Sequence, residues 1–248
     1  MIKIKSLHEI NKMRAAGKIV AEVFEVLKPI IVPGITTQEL DKVAAEHIKK
    51  CGATCSFYNY SGYPGHVCIS LNNEVIHGIP GKRTLSDGDI VSVDVGACID
   101  GYHGDAARTF AVGEVTSEAK KLIEVTEESF WRGIEFARPG NRIGDISANI
   151  QKVVEENGFS VVRDFVGHGI GSALHEDPEV PNYGTEGRGP RLVPGMTIAV
   201  EPMVNIGAYQ VNTLSDDWTV VTADGKLSAH YENTILITND GAEILTKC

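Results

Sequence analysis

The stretch "FVGHGIGSALHEDPEVPNYG", Phe165 to Gly184, sets His168 and His175 seven residues apart among glycines, with Glu176 and Asp177 following at once. Glycine on either side of His168 lets the backbone come close to whatever the ring touches. An imidazole can ligate a transition metal, donate to a reacting carbonyl or hold a loop together, and spacing alone does not divide two rings among these roles. Four carboxylates raise a related question. Asp94 in "DGDIVSVDV" and Glu201 in "VPGMTIAVEPM" sit within apolar runs, where an ionised acid is costly unless it is paired. Asp105, in "HGDAARTFAV", follows Asp94 by eleven residues, and Glu232 lies in "HYENTILIT". Any one of them, taken singly, is also compatible with a solvated surface group. Four like charges brought together could not all stay ionised. Two divalent cations would cancel them, and an imidazole such as His168 biases such a site towards transition metals over magnesium or calcium.

The elements that must position these residues occur twice. "PGITTQELDKVAAEHIKKCG", Pro33 to Gly52, and "PGNRIGDISANIQKVVEENG", Pro139 to Gly158, have equal length and the same ends. Leu40, Ala44 and Ile48 fall opposite Ile146, Ile150 and Val154, an i, i+4, i+8 helical stripe. Thr36 with Glu39 predicts a capping box, as does Ser6 with Glu9 at an N-terminal helix striped by Leu7, Ile10, Met13, Val20, Phe24 and Leu27. A further helix is expected over "SEAKKLIEVTEESFWRGIEFA". The strands repeat too. Val91, Val93 and Val95 take one face, leaving Ser92 and Asp94 on the other; Ile198 and Val200 take the equivalent face, leaving Ala199 and Glu201. "NTLSDDWTVVTADGKLSAHYE" reads as a hairpin. These patterns predict an α+β fold, one domain over 1–248 in two pseudo-symmetric halves of about 1–112 and 113–248, with a cleft at the seam.

Composition narrows the classes. With 33 acidic against 23 basic residues and a net charge of -10, the chain lacks the basic stripe of a nucleic-acid binder. No apolar run is long enough to span a membrane, and "MIKIKSLHEINKMR" has no signal-peptide core. Five cysteines without C-x-x-C spacing predict free thiols in a reducing cytoplasm.

Taken in order, "HGIP" at His77, "VDVGACIDGYHGDAARTF", "RDFVGHGIGSALHEDPEVPNYG", "MTIAVEPMV" and "HYENTILIT" resemble the type I methionine aminopeptidases, of bacterial kind, with the pita-bread fold they share with prolidase, aminopeptidase P and creatinase. The resemblance runs from about Ser6 to the C-terminus. It implies two pseudo-symmetric halves with a central antiparallel sheet covered by helices. The length leaves no room for the helical insertion of type II relatives.

The resemblance further implies a dinuclear centre with Asp94, Asp105, His168, Glu201 and Glu232 as ligands, Asp105 and Glu232 bridging, Asp94 on one ion, His168 and Glu201 on the other. Cobalt, manganese, iron(II) and zinc all suit that donor set. His175 is expected to donate to the scissile carbonyl, His77 to contact the next amide, and Glu201 to carry the proton from water to leaving amine. Tyr60, Tyr63, Cys68, His77 and Trp218 are expected to line a methionine pocket, aromatics and a thiol being soft partners for a thioether. Phe57 and Leu174 depart from the cysteine and the bulky aromatic that many relatives carry, which alters pocket shape. The remaining histidines, His8, His47, His66, His103 and His230, are assigned structural places, His103 in a loop; Glu176 and Asp177 are expected to position the His175 loop. The implied activity is cytoplasmic removal of initiator methionine from nascent chains with a small second residue, by a monomer in transient contact with the ribosome. An Xaa-Pro peptidase of the same fold and a catalytically inactive ribosome- or protein-binding relative are the alternatives.

Overall fold

The computed structural model describes residues 1–247. Four helices account for the periodic segments: α1 (Leu7–Leu27), α2 (Thr37–Lys50), α3 (Ser117–Ile134) and α4 (Ile143–Glu156). Ser6 and Thr36 cap α1 and α2, and Glu9 and Glu39 close both capping boxes, so the orphan N–H groups of each first turn are satisfied. The stripe of α1 starts one turn later than the sequence suggested. Leu7 stays 69% exposed, while Ile10, Met13, Val20, Phe24 and Leu27 are buried.

Each helix pair covers its own antiparallel strands. In the first half Ile19, Val20 and Val23 of α1 and Leu40, Ala44 and Ile48 of α2 pack on Val91, Val93 and Val95. In the second, Leu122, Val125 and Phe130 of α3 and Ile146, Ile150 and Val154 of α4 pack on Ile198, Val200, Ile235 and Ile237. The same sequence stripe therefore does the same packing work twice, and the acidic face of each strand pair is turned away from its helices.

The first pair is the hairpin Ile90–Ile99 and Tyr102–Ala111, in full register from Ile90↔Ala111 to Ile99↔Tyr102. Its turn is Asp100 (φ 52°) and Gly101 (φ 77°), the type I′ combination that matches strand twist. The second pair sets Thr197–Val200 against Asn233–Ile237. The strands are antiparallel but fall into four hydrogen-bonded segments, so the central sheet is interrupted. The halves meet where Ala107 N–H donates to Glu232 O (3.3 Å) and Glu232 N–H to Ala107 O (3.0 Å).

Two further expectations change. His103 belongs to the Tyr102–Ala111 strand, because the two-residue turn starts that strand at once. The segment read as one hairpin is three strands: Val211–Thr213 pairs with Val220–Thr222, which also pairs with Glu74–Ile76, whereas Ser228–His230 pairs with Met203–Asn205. The excursion carries Trp218 across to His77, their rings 6.1 Å apart.

Candidate active site

Asp94 and Asp105 come from the two strands of the first hairpin. Glu201 directly follows the Thr197–Val200 strand, and Glu232 directly precedes Asn233–Ile237. Each half thus contributes one acid from each of two neighbouring strands. His168 enters from the short strand Gly167–Gly169, paired with Thr197–Val200. The flanking glycines are required there: a Cβ on Gly167 would lie 2.4 Å from Ala199 O, and one on Gly169 2.0 Å from Asp177 O.

Donor atoms of Asp105, His168 and Glu232 all lie within 4.8 Å of one another. His168 Nε2 is 3.9 Å from Asp105 Oδ2 and 3.6 Å from Glu201 Oε1, and Asp94 lines the same cavity. His168 Nδ1 is 2.9 Å from Gly169 O. A carbonyl only accepts, so Nδ1 carries the proton and the Nε2 lone pair faces carboxylate oxygens. Lone pairs thus converge from every ligand candidate. Asp94 Oδ1, Asp105 Oδ1 and Glu232 Oε1 are shielded from solvent without a hydrogen-bond partner. Arg108, the cation nearest Glu232, donates instead to Ala107 O, Glu232 O and Asn233 Oδ1. Buried acceptors without donors make a site for a cation, and the set fits divalent metal ions.

The electrostatics agree. Burial pushes Asp94 up to about 7, with Glu201 adding to the rise and His230 opposing it. Burial raises Glu201 to about 8. Asp105 and Glu232 stand well above the carboxylate range, from burial first and then from the neighbouring acids. Without added positive charge the cluster resists ionising.

One member was missed. His230, expected only as a structural histidine, is 1% exposed, its Nε2 unpartnered and 3.6 Å from Glu201 Oε2, which sets it against the acidic cluster. It sits two residues before Glu232, and period-two spacing could have put both on one face. Glu176 accepts from Ala173 N–H (3.2 Å) and pairs with buried Lys5 at 2.7 Å, which secures the His175 loop; Asp177 instead pairs with the N-terminal amine.

Tyr60, Tyr63, Cys68, His77, Leu174, His175, Phe57 and Trp218 border a cavity of about 240 Å³ ending on the acidic cluster. Tyr63 donates to Gly78 O (2.9 Å) and stacks edge-on to Trp218, so it is a fixed wall. Ile76 and Phe165 complete that wall and were not anticipated, being indistinguishable in sequence from core residues. Tyr60 Oη and His175 Nδ1 are 2.7 Å apart at the rim. His77 holds a left-handed backbone (φ 59°), a strained geometry for a side-chain-bearing residue that clusters at functional sites.

A model of metallopeptidase family M24 matches residues 11–239. This chain belongs to metallopeptidase family M24. Among M24 relatives, a methionine aminopeptidase from Clostridium perfringens is 62% identical over 246 residues, covering 99% of each chain. The crystal structure of a methionine aminopeptidase from Thermotoga maritima superposes with a TM-score of 0.99 at 50% identity, each chain covered in full. Prolidase from Pyrococcus furiosus, 24% identical, shares the fold with a TM-score of 0.80 over 99% of this chain and 65% of its own. The M24 fold is the pita-bread fold, and this M24 peptidase is a metal-using hydrolase.

Proposed function

We propose that the chain removes N-terminal methionine from nascent polypeptides whose second residue is small. The observation that carries this reading is a recessed, aromatic-walled cavity, open at the Tyr60–His175 rim and ending on an acceptor-rich cluster. An apolar side chain fits the wall, and a free α-amine suits the acidic end, which restricts reaction to chain termini. The 62% identity to a methionine aminopeptidase over nearly the full length supports it.

Asp94, Asp105, His168, Glu201 and Glu232 would hold two divalent ions; manganese, iron(II), cobalt and zinc all suit these donors. When bound, such ions supply Lewis acidity that lowers the pKa of a water and polarises the peptide carbonyl. Glu201 accepts the proton of the attacking water and returns it to the leaving amine. With Tyr60 O–H donating to His175 Nδ1, the neutral ring carries its own proton on Nε2 and donates to the scissile carbonyl oxygen. His77 is held neutral, burial lowering it to about 4, so it offers one N–H and one lone pair to the amide beyond the scissile bond. Tyr60, Tyr63, Cys68 and Trp218 take the thioether by soft contacts. Nascent termini are met at the ribosome, so cytoplasmic action with transient ribosome contact belongs to the proposal.

Hydrolysis of Met-Ala-Ser and Ala-Pro-Ala by the purified chain, chelated and then resupplied with single metals, tests the reading. Metal-restored cleavage of Met-Ala-Ser, with little of Ala-Pro-Ala, is expected. Preference for Ala-Pro-Ala, or undiminished cleavage under chelation, would overturn it.

A further inference from the structure

Outside the cleft, a second group of metal-ligating side chains has no part in peptide hydrolysis. Glu22 projects from α1; His47 and Cys51 stand at the C-terminal end of α2, four residues apart and so on one helix face. Cys51 Sγ is 3.5 Å from His47 Nε2 and 3.8 Å from Glu22 Oε2, and His47 Nε2 is 3.3 Å from Glu22 Oε2. These three donor atoms, like those of the cleft, lie within 4.8 Å of one another. Cys–Cys spacing offers no hint of it, because the group needs only one cysteine.

The separations are informative. The imidazole–carboxylate contact is longer than the usual N–H···O range of about 2.7–3.2 Å. A tetrahedral zinc ion, with bonds of about 2.3 Å to sulfur and about 2.0–2.1 Å to nitrogen and oxygen, sets its ligand atoms about 3.3–3.6 Å apart. The three observed edges match that triangle to within a few tenths of an ångström. We propose that Glu22, His47 and Cys51 form a second, surface cation site that takes one zinc-class ion and leaves its fourth position to solvent.

The donor set selects the ion. Thiolate and imidazole favour zinc or cobalt(II) over manganese, magnesium or calcium, and one thiolate with one carboxylate balances a double positive charge. Entry is open, since the His47 and Glu22 side chains are 20% and 34% exposed. Lys18 approaches the other Glu22 oxygen, at 3.8 Å, and leaves Oε2 free. Burial and the Glu22 charge raise the Cys51 thiol above its ordinary value, so the ion must displace its proton: one cation enters, one sulfur–metal bond forms and one proton leaves. The bound ion ties the end of α2 to α1 and masks the thiol.

Cobalt(II) titration of the full chain beside Cys51→Ser is the test. A thiolate-to-cobalt charge-transfer band is expected in the unsubstituted chain and its loss in C51S, the difference removing any contribution from Cys68 in the cleft. Zinc retained after gel filtration should fall by one ion per chain in C51S and in His47→Gln, with peptide hydrolysis unchanged. Independently of any variant, zinc should slow alkylation at Cys51, located by mass spectrometry, by about tenfold or more. Superimposable cobalt spectra, equal zinc content, or Cys51 labelling indifferent to zinc would overturn the proposal.

Discussion

At His168 the tautomer is fixed by the residue's own neighbour: Nδ1 donates to Gly169 O, so a lone pair looks at two carboxylates. Once the acids ionise, that arrangement repels unless a cation lies between, and it leads to a pH prediction for the chelated protein. Asp94 and Glu201 move from 3.8 and 4.5 up to about 7 and about 8, so the folded chain holds protons that the unfolded chain has released. Stability from these groups is greatest below the unfolded values and is lost as pH rises through 7 and 8. His77, His168 and His230, each lowered to about 4, act oppositely, but only below their ordinary 6.5. Between about pH 6.5 and 8 the carboxylates therefore decide, and the Tm of chelated protein should fall with rising pH. Saturating manganese should abolish or reverse that trend, because ligation requires ionised acids; identical trends in the two samples would count against the reading. At this scale the sequence showed the acids through their misplacement in apolar strands. It hid His230, whose place depends on which segments the strand joins.

Among the elements, α1 approaches the Tyr102–Ala111 strand so closely that backbone meets backbone. A Cβ added to Gly104 would lie 2.8 Å from Gly17 N and 2.9 Å from Gly17 Cα. Main-chain atoms cannot swing aside, so Gly104→Ala must lift the helix from the strand that carries Asp105. Urea unfolding should show a loss of about 1–3 kcal/mol, the usual cost of overpacking. Gly81→Ala, whose Cβ meets nothing within 4 Å, should stay within about 0.5 kcal/mol, and equal effects from the two would refute this account of the contact. Helices and capping boxes were legible because their signals are local: a stripe of period 3.6 and an oxygen three residues before an acid. The 211–230 excursion was not, since the partners of its strands, Glu74–Ile76 and Met203–Asn205, are chosen by tertiary contacts.

For the whole molecule, the duplicated stripes foretold two helix-covered strand pairs, and the two largest of the apolar clusters each pack one such pair. The seam itself was readable only as a consequence. Reciprocal hydrogen bonds between Ala107 and Glu232 join the halves beside the acids, and no local pattern announces a pairing across so many residues. The chain gathers these acids at its centre although its net charge is already -10, so their ionisation calls for the divalent ions proposed above. Anomalous diffraction at the manganese edge, from crystals of the full chain equilibrated with that ion, reads this most directly. Peaks enclosed by Asp94, Asp105, His168, Glu201 and Glu232 are predicted; a cleft without anomalous density, its acids placed as they are here, would contradict it.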